Sequence, residues 1–328
     1  MNKEARFWRT ENGKVRCELC PNRCLIAEGK LGRCLGRRNV SGRLVAVNYG
    51  EVVSVAVDPI EKKPLYHFHP GLDILSVCTY GCNLLCPFCQ NSDISQSVVP
   101  ARFIPPERLV GLVRESGLDM ISYTYTEPLV WFEYLLDAGR LMREAGVRNV
   151  LVTNGVVNPE PLGELLPLVD AMNIDLKSIR PEFYSDYVKG NLPVVLNTIR
   201  EARHACHMEL TTLLIPGRND SDAEIEELTD FVAGLGRNTV LHFSRYFPRH
   251  RAVEPATPEE RLLAAAEIAQ KKLDYVYLGN VDCGSRFRDT FCPACGNVLV
   301  TRSRFRGSVV GVDNGRCRRC GRAAEVVI

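Results

Sequence analysis

The sequence predicts an α/β fold: a partial (β/α)6 barrel between a small cysteine-rich N-terminal module and a C-terminal zinc ribbon. From Leu72 onward, short β-branched runs alternate with amphipathic helical patterns, which is typical of repeated β-α units around a parallel sheet. Six such units are too few for a closed eight-fold barrel, so we expect an open one. Most of the 14 cysteines lie in three short-spaced groups, one before the barrel region, one near its start and one after it.

Length and composition limit the class of protein. A chain of 328 residues suggests about two domains, and we assign residues 1–70 to the N-terminal module, 71–285 to the barrel and 286–328 to the tail. The net charge of +2 lacks the basic excess of a nucleic-acid-binding protein. No apolar run approaches the ~20 residues of a membrane span. Clustered cysteines favour metal sites in a reducing cytoplasm over disulfides, so we expect a cytoplasmic protein that binds neither nucleic acid nor membrane.

The first module contains four cysteines spaced C-x2-C-x3-C-x9-C, namely Cys17, Cys20, Cys24 and Cys34. Four thiols in a segment with little apolar sequence indicate a module that folds around a metal. Zinc and an auxiliary iron–sulfur cluster both suit thiolate ligands, and sequence separates the two poorly. We favour zinc or a structural role and keep the auxiliary cluster as the alternative.

Residues 44–57 contain two β-branched runs on either side of Asn48–Glu51, a pattern that predicts a β-hairpin. A connector with two prolines follows, from Asp58 to Gly71. His67 and His69 lie in this connector without a nearby cysteine. We therefore expect them to form loop hydrogen bonds rather than to bind metal.

Short apolar runs predict the strands of the barrel, and helical periodicity predicts the helices between them. We place strands near residues 72–77, 119–124, 148–153, 170–175, 207–214, 239–244 and 275–278. We place helices near residues 105–116, 129–145, 159–167, 192–204, 222–234 and 257–271. In parallel barrels the functional residues lie at the carboxyl ends of the strands, so we look for them there.

The segment Gly81–Asn91 carries Cys82, Cys86 and Cys89, spaced C-x3-C-x2-C, and no fourth cysteine follows at close range. Four thiolates would saturate the irons of a 4Fe–4S cluster. Three leave one iron with an open position for a substrate or cofactor, as catalytic metals require. The alternative is a zinc knuckle or three buried thiols, but zinc cysteines usually form two C-x2-C pairs. We therefore predict a 4Fe–4S cluster on these three cysteines.

The tail contains two C-x2-C pairs, each followed by glycine, formed by Cys292, Cys295, Cys317 and Cys320. Two such pairs predict a zinc ribbon, which is a structural element rather than a catalytic one. The tail is also rich in arginine, which we expect to form a solvated surface, with contact to an acidic partner as the alternative. These residues are Arg302, Arg304, Arg306, Arg316, Arg318 and Arg319.

The C-x3-C-x2-C motif, with Phe88 before its last cysteine, resembles the radical S-adenosylmethionine (SAM) enzymes. The resemblance implies that the open iron binds the amino and carboxylate groups of SAM. It also implies that an electron donor such as flavodoxin or ferredoxin reduces the cluster, and that SAM cleavage yields a 5′-deoxyadenosyl radical that abstracts hydrogen. The cofactors carry this chemistry, while the protein supplies binding, orientation and exclusion of water.

The resemblance also indicates which strand ends contact SAM. The family commonly carries a Gly-Gly-Glu-Pro-like motif after the second strand, which holds the SAM amino group. Here Tyr125 and Thr126 replace the two glycines and Glu127 remains, although Glu127 could instead only open the next helix, where acids are favoured. The candidate cofactor-binding residues are Thr126, Glu127, Thr153, Asn154, Asp175, Lys177 and Thr211. Of these, Asp175 and Lys177 point to the same face of a strand and could alternatively form a simple internal salt bridge.

Cations and aromatic residues follow the sixth strand, between His242 and Arg251. Because an arginine fork binds carboxylates or phosphates through two parallel hydrogen bonds, we take Arg245 as a candidate catalytic residue. Tyr277, on the seventh apolar run, is the second candidate.

The ordered set of motifs resembles the radical SAM enzyme of the AmmeMemoRadiSam system, whose core is similar to that of pyruvate formate-lyase activating enzymes. The resemblance covers nearly the whole chain. It implies association with Memo-like and AMMECR-like proteins, and one proposal for the subgroup is oxidation of aryl acetates toward 2-oxindoles. The Arg245–Arg251 stretch itself suggests a small, anionic substrate. The alternatives are an enzyme that activates a glycyl-radical enzyme and a non-catalytic metal-binding scaffold.

Overall fold

The structure is a computed structural model that describes residues 3–328 of the chain. Its N-terminal module consists of seven short strands: β1 (Lys3–Glu4), β2 (Trp8–Glu11), β3 (Lys14–Cys17), β4 (Leu25–Ile26), β5 (Arg37–Val40), β6 (Arg43–Ala46) and β7 (Glu51–Val52). They form small antiparallel sheets in the orders β1-β6-β5 and β2-β3-β4. Buried side chains of this module, among them Val15 and Leu44, belong to the same apolar core as the strands that follow.

The predicted hairpin at residues 44–57 is wrong, because its two runs join different sheets. β6 pairs with β5 across a two-residue turn, while β8 (Ser54–Pro59) pairs with β9 (Asp73–Cys78) of the large sheet. The turn residues Ser41 and Gly42 both have positive φ, the geometry that matches the twist of a two-residue hairpin. A β-branched run identifies a strand but does not identify its partner, which depends on tertiary contacts.

The large sheet has eight strands, seven of them parallel. After β9 the chain forms the short β10 (Arg102–Phe103), which pairs with β7. The remaining strands of the large sheet are β11 (Met120–Tyr123), β12 (Arg148–Thr153), β13 (Ala171–Asp175), β14 (His207–Leu214), β15 (Val240–Arg245) and β16 (Val276–Gly279). The strand order is β16-β15-β14-β13-β12-β11-β9-β8, with β8 antiparallel at the edge. The seven parallel strands lie within one residue of the predicted ones, and the predicted parallel α/β sheet is confirmed.

Seven helices connect and cover the strands: α1 (Ser92–Ser95), α2 (Pro106–Glu115), α3 (Phe132–Glu144), α4 (Pro159–Leu165), α5 (Leu192–Ala205), α6 (Asp222–Leu235) and α7 (Glu259–Gln270). Side-chain caps fix two of their starts, since Asn191 accepts from the Val194 amide and Ser221 accepts from the Glu224 amide. The predicted helix at 129–145 begins as a 3₁₀ turn, Pro128–Trp131, before α3. None of the helices within residues 3–328 is long and apolar enough to cross a lipid bilayer.

The tail forms five short strands: β17 (Thr290–Phe291), β18 (Val298–Ser303), β19 (Arg306–Val309), β20 (Val312–Asp313) and β21 (Arg316–Cys317). It has a small core of its own, which includes Cys292, Leu299 and Val326. Contrary to the expectation of a solvated surface, Arg302 is buried; it donates to the Tyr66 carbonyl and to Thr290. The other tail arginines are exposed.

The connector between β8 and β9 is held by both the large sheet and the tail. The imidazole of His67 donates from Nδ1 to the Glu325 carbonyl (2.6 Å) and accepts at Nε2 from the Tyr277 hydroxyl (2.6 Å). Burial lowers the pKa of His67 to about 3, so the ring is neutral. The expectation that His67 forms loop hydrogen bonds is therefore confirmed, and the bonds it makes join the tail to the sheet.

Candidate active site

A cavity of about 570 Å³ opens at the carboxyl ends of the parallel strands. This volume lies in the range of small-molecule sites. The cysteines of the Gly81–Asn91 segment form one wall, and residues at the ends of β11 to β16 form others. The structure brings together in this one cavity the three cysteines and all of the predicted cofactor-binding residues: Thr126, Glu127, Thr153, Asn154, Asp175, Lys177 and Thr211.

The cysteine segment begins at a glycine that packs directly on the N-terminal module. Gly81 has φ +94°, and a Cβ added there would overlap with the carbonyl oxygen of Cys34. Only glycine combines this backbone conformation with so close an approach. The segment is also tied to the next strand end, because the Glu127 amide donates to the Gly81 carbonyl (3.4 Å).

The three thiols are held by polar neighbours and shielded by aromatic rings. The Leu84 amide and the Asn154 side chain both point at the Cys82 sulfur, at 3.4 and 3.6 Å. Cys89 lies 3.2 Å from the Ser95 hydroxyl. Phe88 is buried and packs on neighbouring aromatic residues, as expected for a residue that keeps water from this wall.

The spacing of the three sulfurs fits a cluster better than a single ion. Around one zinc, sulfur ligands at a Zn–S distance of about 2.3 Å lie about 3.8 Å from each other. Within residues 3–328, the only group of three or more potential ligands with all of its atoms within 4.8 Å of one another is in the tail. Cys82, Cys86 and Cys89 are spread more widely, which suits thiolates that each bind a different iron. The residues present therefore fit a 4Fe–4S cluster.

Glu127 lies in the polar part of the cavity wall next to the cysteine segment, since Asn154 contacts both its carboxylate and the Cys82 sulfur. Its carboxylate accepts from the Leu129 amide (2.9 Å), the Thr153 hydroxyl (2.6 Å) and the Asn154 amide (2.8 Å). Burial raises the pKa of this carboxyl to about 7, although these hydrogen bonds act to lower it. Both interpretations of Glu127 describe the geometry: it caps the 3₁₀ turn that follows, and it also lines the cavity.

The turn before Glu127 forms without the two glycines of the family motif. Tyr125 takes φ +66°, a conformation that glycine usually supplies. Two hydrogen bonds hold it there: the Tyr125 hydroxyl donates to Asp58, and its carbonyl accepts from Asn91 (2.5 Å). The departure from the family pattern is thus compensated by contacts to the connector and the cysteine segment.

Lys177 and Thr211 complete the candidate cofactor surface. The Lys177 ammonium lies 2.9 Å from the Asp175 carboxylate, so the internal salt bridge considered as an alternative exists, and both residues also line the cavity. The Thr211 hydroxyl is buried and has no hydrogen-bond partner within the described part of the chain. A buried polar atom facing a cavity without a partner is typical of a place that a ligand completes.

Four further side chains line the cavity, and no role was predicted for any of them from the sequence. Lys62 and Lys63 line it from the connector; Lys63 is buried against Asp58 (2.7 Å), whereas Lys62 is half-exposed and 3.3 Å from the same carboxylate. His242 lines it from β15 and lies 2.6 Å from the buried Glu209. Phe305, in the turn between β18 and β19, lies at its edge. Strand alternation could have indicated His242, but no local signal indicates that a tail residue reaches this cavity.

The structure does not bring Arg245 and Tyr277 into the cavity lining. Side chains alternate along β15, so His242 and Ser244 face the cavity while Arg245 points away, where it binds Glu259 (2.6 Å) and the Thr257 carbonyl (2.8 Å). Tyr277 is buried beneath the cavity, with its hydroxyl 2.7 Å from that of Thr290. The geometry thus places both predicted catalytic residues outside the site that contains the other candidates.

The cysteines of the tail have the geometry of a single metal ion. Cys292 and Cys320 approach to 3.7 Å between sulfurs, as do Cys295 and Cys317, and all four sulfurs lie within 4.8 Å of one another. These separations match the value of about 3.8 Å expected around a tetrahedral zinc. The four N-terminal cysteines also line a common space, which Asn83 of the cysteine segment lines as well.

The chain is similar to several known proteins. The family model described as the radical SAM superfamily matches residues 76–232. An uncharacterized protein of Methanocaldococcus jannaschii is 42% identical across 99% of this chain and 100% of its own length. A second protein of that organism, provisionally named a glycyl-radical enzyme activating enzyme, is 27% identical across 66% of this chain and 82% of its own. A solved domain of a pyruvate-formate lyase-activating enzyme from Bacteroides vulgatus has a TM-score of 0.43 and 21% identity, covering 48% of this chain and 98% of that one.

Proposed function

We propose that this chain, which belongs to the radical SAM superfamily of enzymes, binds a 4Fe–4S cluster on Cys82, Cys86 and Cys89, holds SAM beside it, and acts on a small carboxylate. The observation that carries the proposal is that the three cysteines and the seven predicted cofactor-binding residues line one cavity. When bound, the cluster and SAM supply a 5′-deoxyadenosyl radical, which takes a hydrogen atom from a substrate C–H bond.

The residues of the chain bind and orient the cofactor. Glu127, fixed by three hydrogen bonds, is positioned to receive the SAM ammonium, and the unpartnered Thr211 hydroxyl offers a hydrogen bond to the adenosyl half. Asp175 and Lys177 form a neutral pair that presents both charges to the carboxylate and hydroxyl groups of SAM. The ring of Phe88 keeps water from the cluster wall.

A carboxylate substrate is supported by the connector and tail residues that line the cavity. Lys62 is the cation there with the largest exposed fraction, 45% of its side chain, and its ammonium lies 5.7 Å from the centre of the Phe305 ring. An ammonium next to an aromatic ring suits a substrate with both a carboxylate and an aromatic group, such as an aryl acetate. Phe305 also lines the cavity and is exposed, so its ring is available for apolar contact with a small molecule. The carboxylate-binding role that the sequence suggested for Arg245 is better suited to Lys62.

The radical chemistry is tested by SAM cleavage. The anaerobically reconstituted enzyme with dithionite and SAM should form 5′-deoxyadenosine, and the triple variant C82A/C86A/C89A should form none. Cys283→Ala, which changes a half-exposed thiol outside the cavity, is the matched control and should retain the activity. Formation of the product by the triple variant would end the proposal.

The substrate assignment is tested by substituting two cationic side chains, Lys62 and Arg245, and comparing the affinity for a carboxylate. Binding of phenylacetate to the enzyme with SAM should weaken in Lys62→Gln, by about tenfold for loss of one charge-assisted bond of ~1.5 kcal/mol. The affinity for phenylacetate should be unchanged in Arg245→Gln. It should also be unchanged in Lys14→Gln, which changes an exposed lysine of the N-terminal module that does not line the cavity. Weakening in Arg245→Gln alone would instead restore the sequence-based assignment.

Activation of a glycyl-radical enzyme is the second candidate, because two relatives at 27% and 25% identity carry that activity in their provisional names. Incubation of the reduced enzyme and SAM with a glycyl-radical enzyme should give no glycyl signal by electron paramagnetic resonance. A strong signal would make activation the function of this chain and the small-carboxylate assignment wrong.

A further inference from the structure

A second cavity lies between the N-terminal module and the cysteine segment. Its walls include all four N-terminal cysteines, namely Cys17, Cys20, Cys24 and Cys34, together with Asn83 from the segment between Cys82 and Cys86. Measured as the space open to the centre of a water-sized sphere, its volume is about 10 Å³, so its walls stand farther apart than this figure alone suggests. The four thiols therefore surround a small, enclosed space rather than pack against one another.

A buried arginine without partners points to an anionic occupant. Arg37 lines the same cavity and is 1% exposed. One terminal nitrogen donates to the buried carboxylate of Glu133, but Nε and the other terminal nitrogen have no hydrogen-bond partner in the described residues. Leaving buried donors unpaired costs about 1–3 kcal/mol or more. The arrangement is thus incomplete until an acceptor with negative charge occupies the cavity.

The spread of the thiols distinguishes between the two metal centres that four cysteines can hold. The tail shows what a single-ion site looks like in this protein, with sulfurs 3.7 Å apart. Among residues 3–328 no comparably compact group forms from the N-terminal cysteines. In a 4Fe–4S cluster each thiolate binds its own iron, so the sulfurs lie farther apart, and the cluster core occupies the space between them.

We propose that Cys17, Cys20, Cys24 and Cys34 hold a second 4Fe–4S cluster, whose sulfur atoms accept hydrogen bonds from the free N–H groups of Arg37. This replaces the zinc or purely structural role favoured by the sequence. All four irons have protein ligands, so this cluster has no open position for SAM. It is adjacent to the first, since Asn83 lines the second cavity and its chain neighbour Cys82 lines the main one. The inference uses residues outside the main cavity and does not depend on the proposed function.

Metal content of the full-length protein tests the proposal. After anaerobic reconstitution with ferrous iron and sulfide, the wild type should contain about eight irons and C82A/C86A/C89A about four, with matching sulfide. The reduced triple variant should still show the electron paramagnetic resonance signal of a 4Fe–4S cluster, and this signal should be unchanged in the same variant with Cys283→Ala added. A triple variant without iron, whether it contains two zinc ions or one, would overturn the proposal.

Substitution of Arg37 tests the hydrogen bonds to the cluster. The double variant R37M/E133Q removes the guanidinium without leaving its carboxylate partner charged and buried. In the C82A/C86A/C89A background, it should shift the reduction potential of the remaining cluster to more negative values, because N–H donors and positive charge stabilise the reduced form. An unchanged potential would show that Arg37 does not face the cluster, and loss of the cluster in that variant alone would agree with its role in binding.

Discussion

Protonation of Glu127 should control the affinity for SAM near neutral pH. Burial raises the pKa of this carboxyl to about 7 in the protein without ligand, and only the carboxylate can pair with the SAM ammonium. With a pKa of about 7, roughly a tenth of the protein has the ionised group at pH 6 and roughly nine tenths at pH 8. Because apparent affinity scales with the competent fraction, this group alone should strengthen SAM binding about tenfold between these pH values.

Glu127→Gln isolates this effect from the titration of SAM itself. The dissociation constant of SAM, measured by anaerobic equilibrium dialysis at pH 6, 7 and 8, is compared between the two proteins at each pH. The ratio of the wild-type to the variant constant should fall about tenfold from pH 6 to pH 8. Glu260→Gln, which changes an exposed carboxylate outside the cavity, is the control and should follow the wild type. A ratio that does not change with pH would refute the assignment of Glu127 as the titrating ligand.

The same pKa shift predicts the sign of a stability change. A carboxyl whose pKa is raised on folding stabilises the folded state below its unfolded value, 4.5, and this contribution is lost as pH rises through about 7. The full loss is of the order of 3 kcal/mol. Without SAM, the melting temperature of the wild type should therefore fall relative to Glu127→Gln between pH 5 and pH 8. A difference that stays constant, or that changes in the opposite direction, would contradict the buried, ionisable character of this group.

Two further predictions concern the contacts that hold the metal modules. Gly81→Ala should lower stability by about 3 kcal/mol or more, since it adds overlap with the Cys34 carbonyl to the ~1–2 kcal/mol penalty of positive φ. Gly117→Ala, also at positive φ but with no neighbouring atom in the way, should lose only the stability that the backbone conformation costs. The urea midpoints of the two variants can be compared by the fluorescence of the buried Trp131. Equal losses of stability would exclude the overlap with the Cys34 carbonyl. Cys320→Ala should remove one zinc per chain and make the tail sensitive to protease, as metal analysis and limited proteolysis can check; retained zinc, or iron and sulfide in the tail, would contradict the zinc assignment.

The sequence predicted the parts of the fold that depend on local periodicity. The seven parallel strands and the principal helices lie close to their predicted positions, because apolar alternation and helical spacing are set by which faces are buried. The wrong predictions concern features that depend on contacts between residues far apart in the sequence. β6 and β8 were identified as strands but assigned to each other, and Arg245 was placed in the cavity although it is one residue out of phase with His242 and Ser244, which line it.

Predictions for the candidate site succeeded and failed for the same reasons. The cysteines and the strand-end residues that the family resemblance assigned converge in one cavity, since the carboxyl ends of parallel strands meet at one edge of the sheet. The contribution of the tail was not predictable, because Phe305 is separated from Lys62 by most of the chain and no short motif encodes their contact. The burial of Arg302 was missed for the same reason: its acceptors, Tyr66 and Thr290, belong to the connector and to another strand.

The connector between β8 and β9 links the C-terminal tail to the cavity. The connector supplies Lys62 and Lys63 to the cavity, yet it contains buried polar groups that apolar packing alone cannot hold. The large sheet satisfies some of them, since Glu209 accepts from the Tyr66 and His67 amides (2.9 and 2.7 Å). The tail satisfies others, since the Val327 carbonyl accepts from the His69 amide and the Val327 amide donates to the His67 carbonyl, both at 2.8 Å. If the tail binds the predicted zinc, loss of that ion would release these bonds, so the position of the connector lysines would then depend on the metal content of the tail.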